Sequence, residues 1–194
     1  MDLSHDALSR LNRRLKDCFL NDPTLRPYAD EGYFWSGQGF RGQLSIRVGA
    51  CFGLAEDHLL EIALFTELLH NASLVHDDIV DSDHERRGQQ TVWHKYGLSK
   101  ALLVGDLLIA KAFEIASSSA IDPIIKSEWI SSLSNAVTVA VRGALCELDF
   151  KLSENDDIFS KYLNMAYDKT GVMFTLPIRC VGQAACLDTE EINK

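Results

Sequence analysis

Three aspartates, Asp77, Asp78 and Asp81, stand at the end of an apolar stretch in the run LHNASLVHDDIVDSDHERRG, Leu69 to Gly88. On a helix, Asp77 and Asp81 fall one turn apart on a shared face, with Asp78 flanking them. No lysine or arginine separates them, so their carboxylates repel unless a cation lies between. Oxygen-only donors with room for water suit magnesium, which proteins hold through one or two carboxylates plus substrate phosphates. Arg86 and Arg87 follow at once, and their planar forks match phosphate oxygens. Together these residues have the chemistry to hold a magnesium-diphosphate at a helix end.

Each part also has a plainer reading. The aspartates alone read equally well as a solvated acidic helix end, and Arg86-Arg87 alone as exposed partners of Asp83 or Glu85. Their fixed proximity favours the joint site. An EF-hand over Asp81, Asp83 and Glu85 fails, because its sixth and twelfth places need glycine and glutamate, where Arg86 and Val92 stand. His70 and His76 lie earlier on the same helix, and Lys169-Thr170-Gly171 much later; each is weak alone. Asp106, inside LLVGDLLIA, is expected to be a buried carboxylate in need of a partner. That partner is either a neighbouring helix or the site.

The elements that must position these groups read as helices. Residues 3–19 set Leu8, Leu11, Leu15 and Phe19 on one stripe. Residues 21–30, with Pro23 and Pro27, form a loop. Tyr33 to Gly42 then carries three glycines among aromatic side chains, a tight backbone path. A short helix is expected over 43–53, and a long one capped by Glu56 or Asp57 runs to about Val80. Further helices are expected over 98–117, from the cap at Asp122-Pro123 to about 150, and over 157–186 with a kink at Pro177. Asn155-Asp156-Asp157 reads as a turn. Strand-like alternation is scarce, so the fold class is all-α.

A chain of 194 residues supports one sizeable core, read as a single domain over 1–194. The net charge of −9, without a basic tract, argues against a nucleic-acid surface. It also means that any anion site must be built locally against the global field. Five scattered cysteines without a CxxC pair fit reduced thiols in the cytoplasm better than a disulfide framework or a zinc site. With a polar start, Met1 to Arg14, no signal peptide is expected. The run Ala101 to Ala116 is broken by Asp106, Lys111 and Glu114, so no transmembrane segment is expected.

HDDIVDSDHERRG, then TVWHKYG, LLVGDLLIAKAFE and Lys169-Thr170-Gly171, closely resemble the trans-polyprenyl diphosphate synthases, a trans-prenyltransferase family. The resemblance covers essentially this whole chain but only about the first two-thirds of a typical member. It implies an isoprenoid synthase-type helical bundle around a central cavity, with the C-terminal helices missing from this chain. It further implies that Asp77, Asp78 and Asp81 bind Mg2+ bridging the diphosphate of an allylic prenyl donor. Arg86 and Lys169 would hold that diphosphate, with Thr170 lining the cavity. His70 and Arg87 would bind the diphosphate of isopentenyl diphosphate, the usual acceptor. Ala72 and Ser73, with Leu69 one turn deeper, would set product length, and their small size resembles enzymes handling geranylgeranyl chains or longer. A homodimer is typical of the family, and a heteromer is the other arrangement.

Two departures qualify the resemblance. The family's Gly-Lys-Arg-x-Arg-Pro motif stands here as Gly37-Gln38-Gly39-Phe40-Arg41-Gly42, leaving Arg41 as its one cation. Losing two charged partners costs several kcal/mol at about 1.5–3 kcal/mol per charged hydrogen bond, so the acceptor is either weakly bound or unusual. Ala144 also replaces the usual glutamate or glutamine. The second aspartate-rich motif does not occur before Lys194, which leaves half of the family's metal site in this sequence. Alternative readings are a non-catalytic or regulatory subunit of a heteromeric synthase, and a class I terpene cyclase. The intact aspartates argue against the subunit, and the Arg-Arg-Gly against the cyclase.

Overall fold

The computed structural model describes residues 3–35, 37–150 and 157–192. The chain forms helices α1 (Leu3–Asn21), α2 (Gly32–Trp35), α3 (Phe40–Cys51) and α4 (Glu56–Val80), then a two-residue hairpin, β1 (Glu85–Arg86) and β2 (Gln89–Gln90). Helices α5 (Val92–Tyr96), α6 (Leu98–Ser118), α7 (Pro123–Leu148), α8 (Ile158–Ala166), α9 (Val172–Ala184) and α10 (Thr189–Ile192) follow, with a π-helical turn, Tyr167–Gly171, between α8 and α9. The all-α expectation holds, the hairpin being the one sheet among the described residues.

Helix α4 is the axis of the bundle. Its residues Leu59, Leu60, Ile62, Ala63, Leu64, Phe65, Leu68, Leu69, Ala72 and Val75 are all buried. A helix apolar all round must be enclosed by others, and α1, α3, α6 and α9 pack against it. Phe65 meets Trp129 of α7 edge-on at 5.7 Å, and the Trp129 indole donates to the Cys180 carbonyl of α9 at 2.9 Å. That bond satisfies the one polar atom of a fully buried tryptophan, as burial requires. The core therefore fixes α4 along its length and leaves only its last turn, with the aspartates, at the edge.

Several boundaries differ from expectation. The N-cap of α4 is Ala55, not Glu56 or Asp57, which fall in the first turn and complement the helix dipole there. The short third helix begins at Phe40. The Asp122 cap holds, its carboxylate accepting from Ile124 N. The expected single helix over 157–186 is broken by the π turn, while Pro177 lies inside α9 and not at the break. Asp157 caps α8, and Asn155 and Asp156 of the expected turn lie outside the described residues. Asp106 is not buried: its side chain is 60% exposed and faces His76 Nε2 at 3.5 Å. No described helix is long and apolar enough to cross a membrane.

Candidate active site

The last turn of α4 presents Asp77 outward, and Asp81 caps it, its N–H donating to the Asp77 carbonyl at 2.8 Å. Carboxylates at a helix C-terminus face the negative end of the dipole, which adds to their mutual repulsion. Burial pushes the Asp77 carboxyl above its usual range, with Asp81 and Glu147 acting the same way and Lys169 opposing. Lys169 Nζ lies 3.7 Å from Asp77 Oδ1 and is hydrogen-bonded to Glu147 of α7. Lys169 stands between the carboxylates of Asp77 and Glu147, with Asp81 near enough to act on its charge. That surplus of hard oxygen donors fits a divalent cation such as magnesium. Among the described residues no three His, Cys, Asp or Glu side chains close round one point.

Lys169 reaches this face because of Gly143. A Cβ at position 143 would overlap the Lys169 backbone nitrogen and lie 2.7 Å from its Cα. Only glycine lets α7 approach the π turn so closely, and π turns recur at functional sites. Glu147, one turn further along α7, has no signal in the sequence beyond being an acid on a helix. Its proximity to Lys169 depends on the α7 crossing.

Asp78 lies apart from the other two aspartates. At 3.6 residues per turn it points about 100° away from Asp77, into the core, where it is fully buried. Tyr33 Oη donates to its Oδ2 at 2.6 Å, and Arg86 Nε and Nη2 donate to its Oδ1 at 2.7 and 2.6 Å. Both oxygens are committed, so Asp78 is an anchor and not part of the outward carboxylate face. Arg86 is likewise turned to Asp78, with Asp83 3.7 Å away. Burial and then Asp78 push the Tyr33 phenol well up, so it stays a donor.

Arg87 and Gly88 form the hairpin turn, with φ of 54° and 74°. Positive φ at both central residues matches the I′ geometry that two-residue hairpins favour. The turn sends Arg87 the other way from Arg86, into a cavity of about 180 Å³ shared with Arg41, His70, Glu67 and Tyr33. Arg41 Nη1 lies 3.0 Å from His70 Nε2, and its guanidinium sits 4.2 Å over the Phe174 ring. Burial, then Arg41 and the other arginines, push His70 down to about 3. The imidazole is therefore neutral, accepts from Arg41 through Nε2 and orients it. The Arg41 Nε is buried with no hydrogen-bond partner among the described residues, an orphan donor beside the cavity. Buried Glu67 accepts from Gly42 N at 2.8 Å, and burial pushes its carboxyl up. Gly39, where the family motif has a cation, adopts φ of 57°, the left-handed region that favours glycine.

A second, apolar cavity of about 100 Å³ opens beside Asp77 and Lys169. Leu69, Ala72, Ser73 and His76 of α4 line it, facing Val137 and Ala144 of α7. Ser73 Oγ donates back to the His70 carbonyl at 2.8 Å, so its polar atom is satisfied within the helix. Thr170 is exposed and lines neither cavity, whereas Lys169, one residue earlier, lines this one.

Residues 23–194 match the family model described as Polyprenyl synthetase. The chain belongs to the polyprenyl synthetase family. It is 31% identical over 175 residues to a geranylgeranyl pyrophosphate synthase of Geoglobus acetivorans, covering 89% of this chain and 54% of that protein. It is 33% identical over 189 residues to a short chain isoprenyl diphosphate synthase of Methanocaldococcus jannaschii, covering 96% of this chain and 56% of the relative. The solved geranylgeranyl pyrophosphate synthetase of Geoglobus acetivorans superposes with a TM-score of 0.88 at 26% identity, over 99% of this chain and 63% of the other. The fold is thus that of the all-α isoprenoid synthases, and the chain spans about half the length of the curated relatives it matches.

Proposed function

We propose that the chain carries the donor half of a magnesium-dependent trans-prenyltransferase, which ionises an allylic prenyl diphosphate and joins the prenyl group to an acceptor. The observation that carries this reading is the carboxylate face of Asp77, Asp81 and Glu147 around Lys169, at the mouth of an apolar cavity. Magnesium held by Asp77 and Asp81, when bound, would neutralise charge developing on the leaving diphosphate. Lys169 adds a mobile cation to the same oxygens, exchanging a carboxylate for a phosphate partner as substrate arrives. Arg86 acts by holding Asp78. The apolar cavity below excludes water from the allylic cation, and Leu69, Ala72 and Ser73 leave room for a chain along α4.

The acceptor cavity supports isopentenyl diphosphate through Arg41 and Arg87, with the orphan Arg41 Nε as a free donor. Gln38 and Gly39 supply no charge there, and Glu67 offsets one arginine. An acceptor carrying less charge therefore fits as the second reading. The five free cysteines agree with a reducing, cytoplasmic setting. The test is incubation with Mg2+ and radiolabelled farnesyl diphosphate, with and without isopentenyl diphosphate. Elongated, diphosphate-bearing product supports the synthase. Diphosphate release without elongation points to another acceptor or a cyclase, and no turnover under either condition overturns the donor-site reading.

A further inference from the structure

Tyr33 stands where the two sites meet. Its ring lines the acceptor cavity beside Arg41, His70 and Arg87, while its hydroxyl donates to buried Asp78 at 2.6 Å. The residue is itself a fixed post. Phe34 and Trp35, next to it on α2, pack against Phe19 with ring centroids 4.8 and 5.3 Å apart. Glu31, just before α2, accepts from Lys95 Nζ at 2.8 Å and is hydrogen-bonded to the Tyr96 hydroxyl of α5.

The group it holds is the residue between the two outward carboxylates. A helix's last turn lacks continuing backbone bonds and frays. Here it also carries like charges at the unfavourable end of the dipole. Asp78 counters that at two levels: its carbonyl accepts from Asp83 N at 3.0 Å, and its side chain is tied to α2 through Tyr33 and to the hairpin through Arg86. We propose that Tyr33 is a positioning residue for the metal face, fixing the last turn of α4 through Asp78, and with it the placement of Asp77 and Asp81, from the wall of the acceptor cavity. This rests on the metal-face reading above. It also gives the acceptor cavity a direct mechanical link to the donor site, since whatever shifts the Tyr33 ring shifts the anchor of the carboxylates.

The test uses Mn2+ as a magnesium substitute, with inorganic diphosphate, and reads bound metal by electron paramagnetic resonance. Wild type, Tyr33→Phe, Asp78→Asn, the double variant and Asp77→Asn are compared, each checked for the native fold by near-ultraviolet circular dichroism. Tyr33→Phe is expected to weaken Mn2+ binding about tenfold, and by clearly less in the Asp78→Asn background, as coupled residues do. Asp78→Asn, which keeps an acceptor for the phenol, is expected to cost less than Asp77→Asn. It keeps the test decisive should Tyr33→Phe fail to fold. Unchanged affinity in folded Tyr33→Phe, or additive losses in the double variant, overturns the positioning role while leaving the metal face intact. Asp78→Asn as damaging as Asp77→Asn makes Asp78 a ligand and also overturns it. Wild type that binds no Mn2+ overturns the metal-face reading, and the positioning role with it.

Discussion

His70 is kept neutral by the fold, and this makes the fold sensitive to acid. Folded His70 protonates only near 3, whereas a free imidazole does so near 6.5. Between those values the unfolded chain binds a proton that the folded chain refuses, so stability is complete above the upper value and is lost as pH falls through the window. Going from pH 7 to about pH 5 should remove about 2 kcal/mol through this residue. Urea unfolding of wild type and His70→Asn at the two pH values checks it: the variant loses that difference, and equal slopes would refute it. Comparing variants is necessary because Asp77 and Glu67, both pushed up by burial, act in the opposite direction. At this scale the sequence carried only part of the arrangement. The common face of Asp77 and Asp81 was legible because a four-residue spacing on a helix dictates it. The burial of Asp78 against Tyr33, 45 residues away, and the contact of Glu147 with Lys169, 22 residues on, depend on the tertiary arrangement and left no local signal.

Long helices were legible because apolar periodicity and caps report directly on them, as α4 and α7 illustrate. The short pieces were not. The hairpin at Glu85–Gln90 is made by backbone conformation at Arg87 and Gly88, and the π turn at Tyr167–Gly171 by contact with α7; neither leaves a periodic trace. The element that matters most for chemistry is that α7 contact. Gly143→Ala forces the π turn away from α7 and carries Lys169 with it. Overpacking of this kind costs about 1–3 kcal/mol, so the variant should remain folded but melt lower, and prenyl transfer should fall more steeply than stability. Thermal unfolding followed alongside turnover checks this. Activity that falls only in proportion to the folded fraction would show that Lys169 placement is unimportant.

Across the whole molecule, the apolar residues that the core does not absorb cluster on defined faces. Leu98 and Leu102, one turn apart on α6, are 57% and 49% exposed, and Leu103 beside Leu102 is 65% exposed. We propose that this exposed apolar patch serves the expected homodimer. Molar mass by light scattering should give a dimer, and Leu103→Glu should shift it toward monomer; a wild-type monomer at micromolar concentration would contradict the assignment. The family and the all-α bundle were readable from the motif run and the helical periodicity, since both are local in sequence. The two-cavity layout, with Arg86 and Arg87 sent to opposite sides of one turn, emerged only with the tertiary arrangement. The central claim is that the Asp77–Asp81 face ionises an allylic diphosphate with a divalent cation. Its most direct test is diphosphate release from farnesyl diphosphate, measured with Mg2+ and with chelator, in wild type and Asp77→Asn. The account predicts release that needs Mg2+ and falls at least about a hundredfold in the variant, the scale of losing one transition-state electrostatic partner. Release that persists without metal, or survives Asp77→Asn, would contradict it.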